Sequence, residues 1–292
     1  MLPTHFAQGL LMGSADIIPG VSGGTVALIL GIYERLIDSV RGVATGVVAS
    51  VRRDRDGART AFGMVEWHLV LPLGLGIVTA VGIGSLVIPH LLERYPSQML
   101  AVFFGLIAGS LVVPWRRIRE RDRMKVGLAA VAAAVAAVLV GLPPREVDDP
   151  TLVLVFFCAA VAICAMILPG VSGAFLLLVL GVYDATLAAI SDLNVLYIAV
   201  FVVGAALGLG AFSRLLSYLL HHHHDTTMAA LVGLMAGSLR ALWPWQTDTR
   251  ALLAPPADAG AVALVAALAV LGFAAVTGLV YAGTRPELSA SR

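Results

Sequence analysis

Pro19-Gly20-Val21-Ser22-Gly23 recurs unchanged as Pro169-Gly170-Val171-Ser172-Gly173, and the reading of this pair decides the fold. The match spreads outward through Ala15/Ala165, Ile17/Ile167, Leu28/Leu178, Leu30/Leu180, Gly31/Gly181 and Tyr33/Tyr183, so eleven of the nineteen positions from 15 to 33 are identical at an offset of 150. Acidic Glu34 and Asp184 come next. Each copy lies in an apolar stretch, where proline removes a backbone donor and glycine leaves a helix at little cost, so each should break a membrane helix part-way. At that depth a break is tolerated only where it is buried in protein or lines a wet cavity. One such break in each half points to the binding site of a transporter built from repeats.

Composition agrees with a membrane setting. With 59% hydrophobic and 13% charged residues, the chain has too little polar surface to cover a soluble globule of 292 residues. Lys and Arg cluster in loops beside apolar spans and not on a basic face interleaved with aromatics, so nucleic acid is excluded as a partner. Met1 to Ala7 lack the cationic start and cleavage site of a secretory signal, and the N-terminus is expected to stay as translated. Cys158 and Cys164, six apart in an apolar run, match neither a redox nor a zinc spacing and read as packing residues.

The first half, residues 1–142, opens with a broken hairpin at 2–40, long enough for two arms of about 18 residues, roughly 27 Å each. A linker with Arg41, Arg52, Arg53, Arg55 and Arg59 follows, then spans at about 68–91, 98–114 and 125–142. Between the last two, Arg116, Arg117, Arg119, Arg121, Arg123 and Lys125 make the strongest cytoplasmic signal in the chain. The second half, 151–283, repeats the plan with a hairpin at 151–190 and spans at about 194–219, 227–243 and 260–282. Gly105-Leu106-Ile107-Ala108-Gly109-Ser110-Leu111 answers Gly233-Leu234-Met235-Ala236-Gly237-Ser238-Leu239 at an offset of 128, the extra linker around 41–66 absorbing the difference.

If each hairpin returns to its own side, each half crosses the bilayer three times, and the second half is inverted relative to the first. Charge supports that parity. It places 41–66, 115–125, His221 to His224 and the tail with Arg285 and Arg292 inside, and 93–97, the acidic turn Glu146, Asp148 and Asp149, and Asp184 to Asp192 outside. Eight full spans with parallel repeats would put the acidic 184–192 loop inside and the basic tail outside. The expected fold is therefore an all-α polytopic membrane protein with an inverted-topology repeat, each half a broken or re-entrant helical hairpin plus three transmembrane helices, and both termini cytoplasmic.

After the first break, Ser22, Gly23, Gly24 and Thr25 open a new helix whose unpaired amides and positive dipole end point at the break, with hydroxyls adding donors. Such a backbone suits an anion such as phosphate, and Ser172 and Gly173 repeat the arrangement. The plainer reading is a tight reversal with serine capping the second arm. The copies differ at Asp16/Met166, Gly24/Ala174 and Thr25/Phe175. A carboxylate inside a membrane segment costs about 2.5–3.5 kcal/mol on insertion scales, so Asp16 either holds a proton or cation beside an anionic head group or caps the second arm. Arg214 and Arg240 either contact a head group or snorkel to lipid phosphates. Glu34, Arg35 and Asp38 read as an interfacial ion cluster, Tyr33, Tyr183 and Trp243-Pro244-Trp245 as interface anchors, and the four consecutive histidines as a solvated loop. No catalytic residue, cofactor or metal is called for: His5 and His68 are isolated in sequence, and no acidic or histidine pair at ligand spacing lies within the spans.

At these residues the chain resembles a known family. Gly13-Ser14-Ala15-Asp16-Ile17-Ile18-Pro19-Gly20-Val21-Ser22-Gly23-Gly24-Thr25, the second Pro169-Gly170-Val171-Ser172-Gly173, and Gly237-Ser238-Leu239-Arg240 ahead of Trp243-Pro244-Trp245 are similar to the bacterial undecaprenyl-phosphate translocases, long catalogued as a domain of unknown function. The resemblance spans essentially the whole chain. It implies return of a polyprenyl-phosphate carrier lipid from the outer to the cytoplasmic leaflet of the plasma membrane, for reuse in wall-polymer synthesis. An anionic phosphate needs a polar midplane, while the isoprenoid tail stays in lipid through a lateral opening. The alternative from another class, an embedded phosphatase acting on the same lipids, needs a nucleophile with a base or a metal cluster near the hairpins.

Overall fold

The computed structural model describes residues 2–17, 22–247 and 249–283. Pro19, Gly20 and Val21 of the first phrase, and the tail with Arg285 and Arg292, lie outside the described residues. Within them the protein is helical, without strands beyond one isolated bridge between Gln246 and Leu252.

The first hairpin descends as α1 (Leu2–Asp16) and turns back as α2 (Gly23–Ile29). Ser22 sits in extended conformation as the N-cap of α2, its hydroxyl accepting the Gly24 N–H at 3.2 Å. The return arm is not one helix of 18 residues as expected. It ends at Gly31, where φ is +73° and the Ile32 N–H donates to the Ala27 carbonyl at 3.0 Å, a closure only a left-handed residue allows and one that glycine adopts without strain. The chain then continues as α3 (Tyr33–Val51), eleven residues beyond the expected end at 40. A short amphipathic α4 (Arg55–Gly63) packs on α3 before α5 (Trp67–Arg94), α6 (Pro96–Ser110), α7 (Val112–Arg117) and α8 (Arg123–Val140).

The second half runs through the same series. α9 (Leu152–Ile167) leads to the break, α10 (Gly173–Leu180) returns, and Gly181, with φ +83° and the same backbone closure from Val182 N–H to the Leu177 carbonyl at 3.1 Å, turns the chain into α11 (Tyr183–Ser191). α10 and α11 meet at 105°. α12 (Val195–His222), α13 (His224–Ser238), a 3-10 turn (Leu239–Leu242) and α14 (Ala259–Gly283) complete the fold. α5 and α12 are both 28 residues long, and α6 and α13 both 15. Among the described residues five helices are long and apolar enough to cross a membrane, or six if the bent pair counts as one. The expected span at 227–243 falls on α13 and the 3-10 turn, but α13, at 15 residues, is not one of these helices.

Packing ties the halves together. Within each half, the descending arm lies along the long helix, α1 on α5 and α9 on α12. Across the halves the partners are exchanged: α6 packs along α14, and α13 along α8. Glycine lets these backbones touch, since a Cβ on Gly76 would stand 2.2 Å from the Phe6 carbonyl oxygen, and one on Gly204 2.4 Å from that of Phe156. Those two contacts are repeat equivalents, at offsets of 128 and 150. The exchanged pairs close the same way, at Gly105 against the Ala269 carbonyl and Gly233 against that of Ala129. The largest buried cluster gathers Leu28, Tyr33 and Ile37 of the first hairpin against Leu69, Leu216, Met228 and Met235, so the hairpin is held by both halves.

Candidate functional site

The described end of the first phrase packs directly onto the second. A helix ending inside the bilayer leaves carbonyls without partners. At the end of α9 these are taken up by the other half: the Ser22 hydroxyl reaches the carbonyls of Met166 and Leu168, both at 3.3 Å, and the Tyr33 hydroxyl donates to Ile167 at 3.2 Å. In the opposite sense, the Gly170 N–H donates to the Thr25 hydroxyl at 2.9 Å. Ser22 and Thr25 are buried, at 2% and 0% exposure. Their hydroxyls are thus engaged in joining the two breaks and do not stand open toward one shared head group.

Asp16 reaches back across the break, and its carboxylate accepts the Gly23 N–H at 2.6 Å. The capping alternative is therefore realised, and the first amide of α2 already faces an anion. Beside it lies a cavity of about 180 Å³ lined by Asp16, Gly23, Gly24, Tyr33, Ile163 and Met166. A second cavity, of about 320 Å³ and almost wholly apolar, lies across α2, with Thr25, Phe103 and Val276 in its wall. A third, about 530 Å³, runs between α3 and α12 and shares Val40 with the Asp16 cavity.

The other expected site residues lie apart. Ser172 caps α10, its hydroxyl accepting the Phe175 N–H at 3.3 Å, and a Cβ on Gly173 would meet the Ala162 carbonyl at 2.7 Å, so both serve the local turn. Arg214 is exposed at the edge of the groove between α3 and α12, where Nη2 is 3.4 Å from Thr45 Oγ1. Arg240 is neither a surface anchor nor at the cavity. Its Nη1 donates to the Ala137 carbonyl at 2.9 Å while Nε is buried without a partner, so the cation sits at the C-terminal, negative end of α8.

Tyr33 corrects a further expectation. Read as an interface anchor, it is 1% exposed and lines the Asp16 cavity. The signal for this in the sequence is its identity with Tyr183, set against the general habit of tyrosine at membrane surfaces. The expected ion cluster exists with partners drawn from other elements: Arg35 pairs with Glu66 and holds that carboxyl below its ordinary value through their hydrogen bond, and Arg117 lies 3.4 Å from Glu34. Two of the four histidines have acidic neighbours as well as solvent: His221, which is exposed, lies 3.6 Å from Asp38, and half-buried His224 lies 3.5 Å from Glu34. Asp225 accepts the backbone N–H groups of Glu120 and Arg119, at 2.9 and 3.1 Å, which fixes the basic loop and pulls its pKa down to about 2.

Residues 12–256, which contain both breaks and the exchanged helices except α14, match the family described as undecaprenyl phosphate translocase-like. The chain belongs to this family. A relative from Vibrio cholerae serotype O1, named a polyprenyl-phosphate transporter, is 37% identical over 244 residues, covering 82% of this chain and 77% of the relative. Another of the same name, from Staphylococcus aureus, is 31% identical over 263 residues, covering 82% of this chain and 86% of the relative. No solved structure gives a significant match.

Proposed function

We propose that this protein carries undecaprenyl phosphate, or a polyprenyl phosphate like it, from the outer to the cytoplasmic leaflet of the bacterial plasma membrane, returning the carrier lipid to wall-polymer synthesis. The observation that carries the reading is the cavity at the junction of the two breaks: polar at Asp16, Gly23 and Gly24, lined otherwise mostly by apolar side chains, and sharing Val40 with a groove open to lipid. A head group needs the first and an isoprenoid tail the second. The names of the two relatives support the same substrate.

In this reading the phosphate enters beside Gly23 and Gly24. Ser22, Thr25, Ser172 and Gly173 shape the breaks around it. Asp16 already faces the Gly23 amide, so an arriving phosphate meets a like charge, and loading requires the carboxylate to take up a proton or a cation. The second half is inverted relative to the first, with both termini in the cytoplasm; the exchange of α6 and α13 between halves and the basic character of 115–125 support this. The chain acts as a translocase and performs no bond chemistry.

Proteoliposomes carrying the purified protein and a polyprenyl phosphate test it. The expected result is movement of the phosphate head group between leaflets with no release of inorganic phosphate. Phosphate release would favour the enzyme, and an unchanged leaflet distribution would remove the transport reading.

A further inference from the structure

The groove between α3 and α12 has no role yet, and neither does the arginine at its edge. Val40, Ala44 and Val47 form one wall, Leu207 and Gly210 the other, and Arg214 closes one end. Its volume, about 530 Å³, falls within the ~300–1,000 Å³ usual for ligand pockets. Its walls approach closely at Gly210, where an added Cβ would stand 3.3 Å from that of Ala44. Val47 and Leu207 are 50% and 56% exposed, so the groove opens sideways to lipid along its length.

Two features select an occupant. First, Val40 lines both this groove and the Asp16 cavity, so the groove begins one side chain away from a head group held at the break. Second, among the described residues Arg214 makes a single long contact, to Thr45, which leaves most of its guanidinium donors open toward them, whereas neighbouring Arg41 is committed to Ser217 at 3.0 Å and Ser217 in turn to Asp38 at 2.6 Å. A planar fork of free donors at the end of a hydrocarbon slot matches an anionic head on a long apolar chain.

Resting on the transport reading above, we propose that this groove is the exit track of the lipid: the isoprene units nearest the head lie between α3 and α12, and Arg214 takes the phosphate as it leaves the Asp16 cavity. The bland competitor is ordinary phospholipid, whose acyl chain fills the slot and whose phosphate Arg214 meets at the membrane surface.

Photo-crosslinking in nanodiscs decides between them, using a diazirine-bearing polyprenyl phosphate and a diazirine-bearing phosphatidylglycerol as probes. Polyprenyl phosphate should label α3 and α12, and a tenfold excess of phosphatidylglycerol should not suppress that labelling. Ala44→Phe, which fills the groove beside Gly210, should lower labelling and transport at least about tenfold by excluding the tail, and Arg214→Gln should lower both about ten- to a hundredfold, the range of one lost charge-assisted contact. Arg214→Lys should restore part of it. Val47→Trp, at the exposed lip, serves if Ala44→Phe does not fold, and Val78→Trp on lipid-facing α5 is the control expected to change nothing. Equal labelling by phosphatidylglycerol, or wild-type transport in Ala44→Phe or Val47→Trp and in Arg214→Gln, overturns the exit track while the transport reading stands. Failure of the wild-type protein to move the lipid overturns both.

Discussion

Thr25→Val separates a structural from a ligand-binding role for the residue at the centre of the junction. Valine keeps the shape of threonine and deletes the hydroxyl. That hydroxyl is the acceptor for the Gly170 N–H at 2.9 Å, in a place where Thr25 has no exposed surface. Gly170 cannot turn to find another partner, because its φ of +83° is fixed by the reversal and an added Cβ there would already stand 2.7 Å from the Met235 Cα. A buried donor left without an acceptor costs about 1–3 kcal/mol. At about 2–4 °C per kcal/mol, the figure for domains of a few hundred residues, the melting midpoint should fall by several degrees. Thr25→Ser retains the acceptor and should melt close to wild type. Cys158, free and 3% exposed, supplies the readout, since a thiol-reactive dye reports its exposure on heating in detergent. Transport by Thr25→Val, normalised to folded protein, should stay within about threefold of wild type. A variant that melts like wild type yet loses transport would refute the junction role and return the hydroxyl to the substrate.

Three other outcomes are expected. Asp16→Asn keeps an oxygen for the Gly23 amide but removes the charge, so the variant should fold normally and lose the pH dependence of transport; a profile parallel to wild type would confine Asp16 to capping. Cysteines placed at Arg119 and His222 should react only with reagents on the cytoplasmic side, and those at Asp148 and Asp192 only with external ones, whereas labelling of 148 and 192 from opposite sides would exclude the inverted repeat. Because the folded-state pKa of Asp225 lies below its ordinary 3.8, at about 2, its contribution to stability is present above about pH 4 and lost as pH falls toward 2; Asp225→Asn should therefore be less stable than wild type at neutral pH, with the gap closing across that window in melting experiments.

The features legible in the sequence were those carried by local pattern. Apolar length marked the spans, and the repeated Pro-Gly-Val-Ser-Gly marked a break that the structure shows directly at 168–172. Gly31 and Gly181 were equally visible as identities. An isolated glycine near the end of an apolar stretch does not announce a left-handed closure, and only the Ile32 and Val182 amides bonding five residues back reveal it. The exchange of α6 and α13 between halves could not be read at all, since it depends on which glycine face meets which backbone across more than a hundred residues. Arg240 shows the same limit. A cation at the end of a span favours a water-facing or head-group reading on general grounds, and only the arrival of the Ala137 carbonyl from another helix assigns it to the end of α8.

The differences between the copies now have a physical sense. Strict symmetry would have built two equivalent cavities, each with a carboxylate and a hydroxyl. Here Asp16 and Thr25 on one side face Met166 and Phe175 in the equivalent positions on the other. The second copy contributes what the first lacks: the end of α9 presents carbonyls that Ser22 and Tyr33 satisfy, the Gly170 amide engages Thr25, and Met166 with Ile163 supplies the apolar wall of the Asp16 cavity. Phe175, where the first copy has threonine, is instead covered by the Arg250 guanidinium 4.3 Å from its ring centre. One phrase therefore furnishes the polar groups of the cavity and the other its backing, an arrangement that fits one lipid head group handled at the junction better than two handled in parallel.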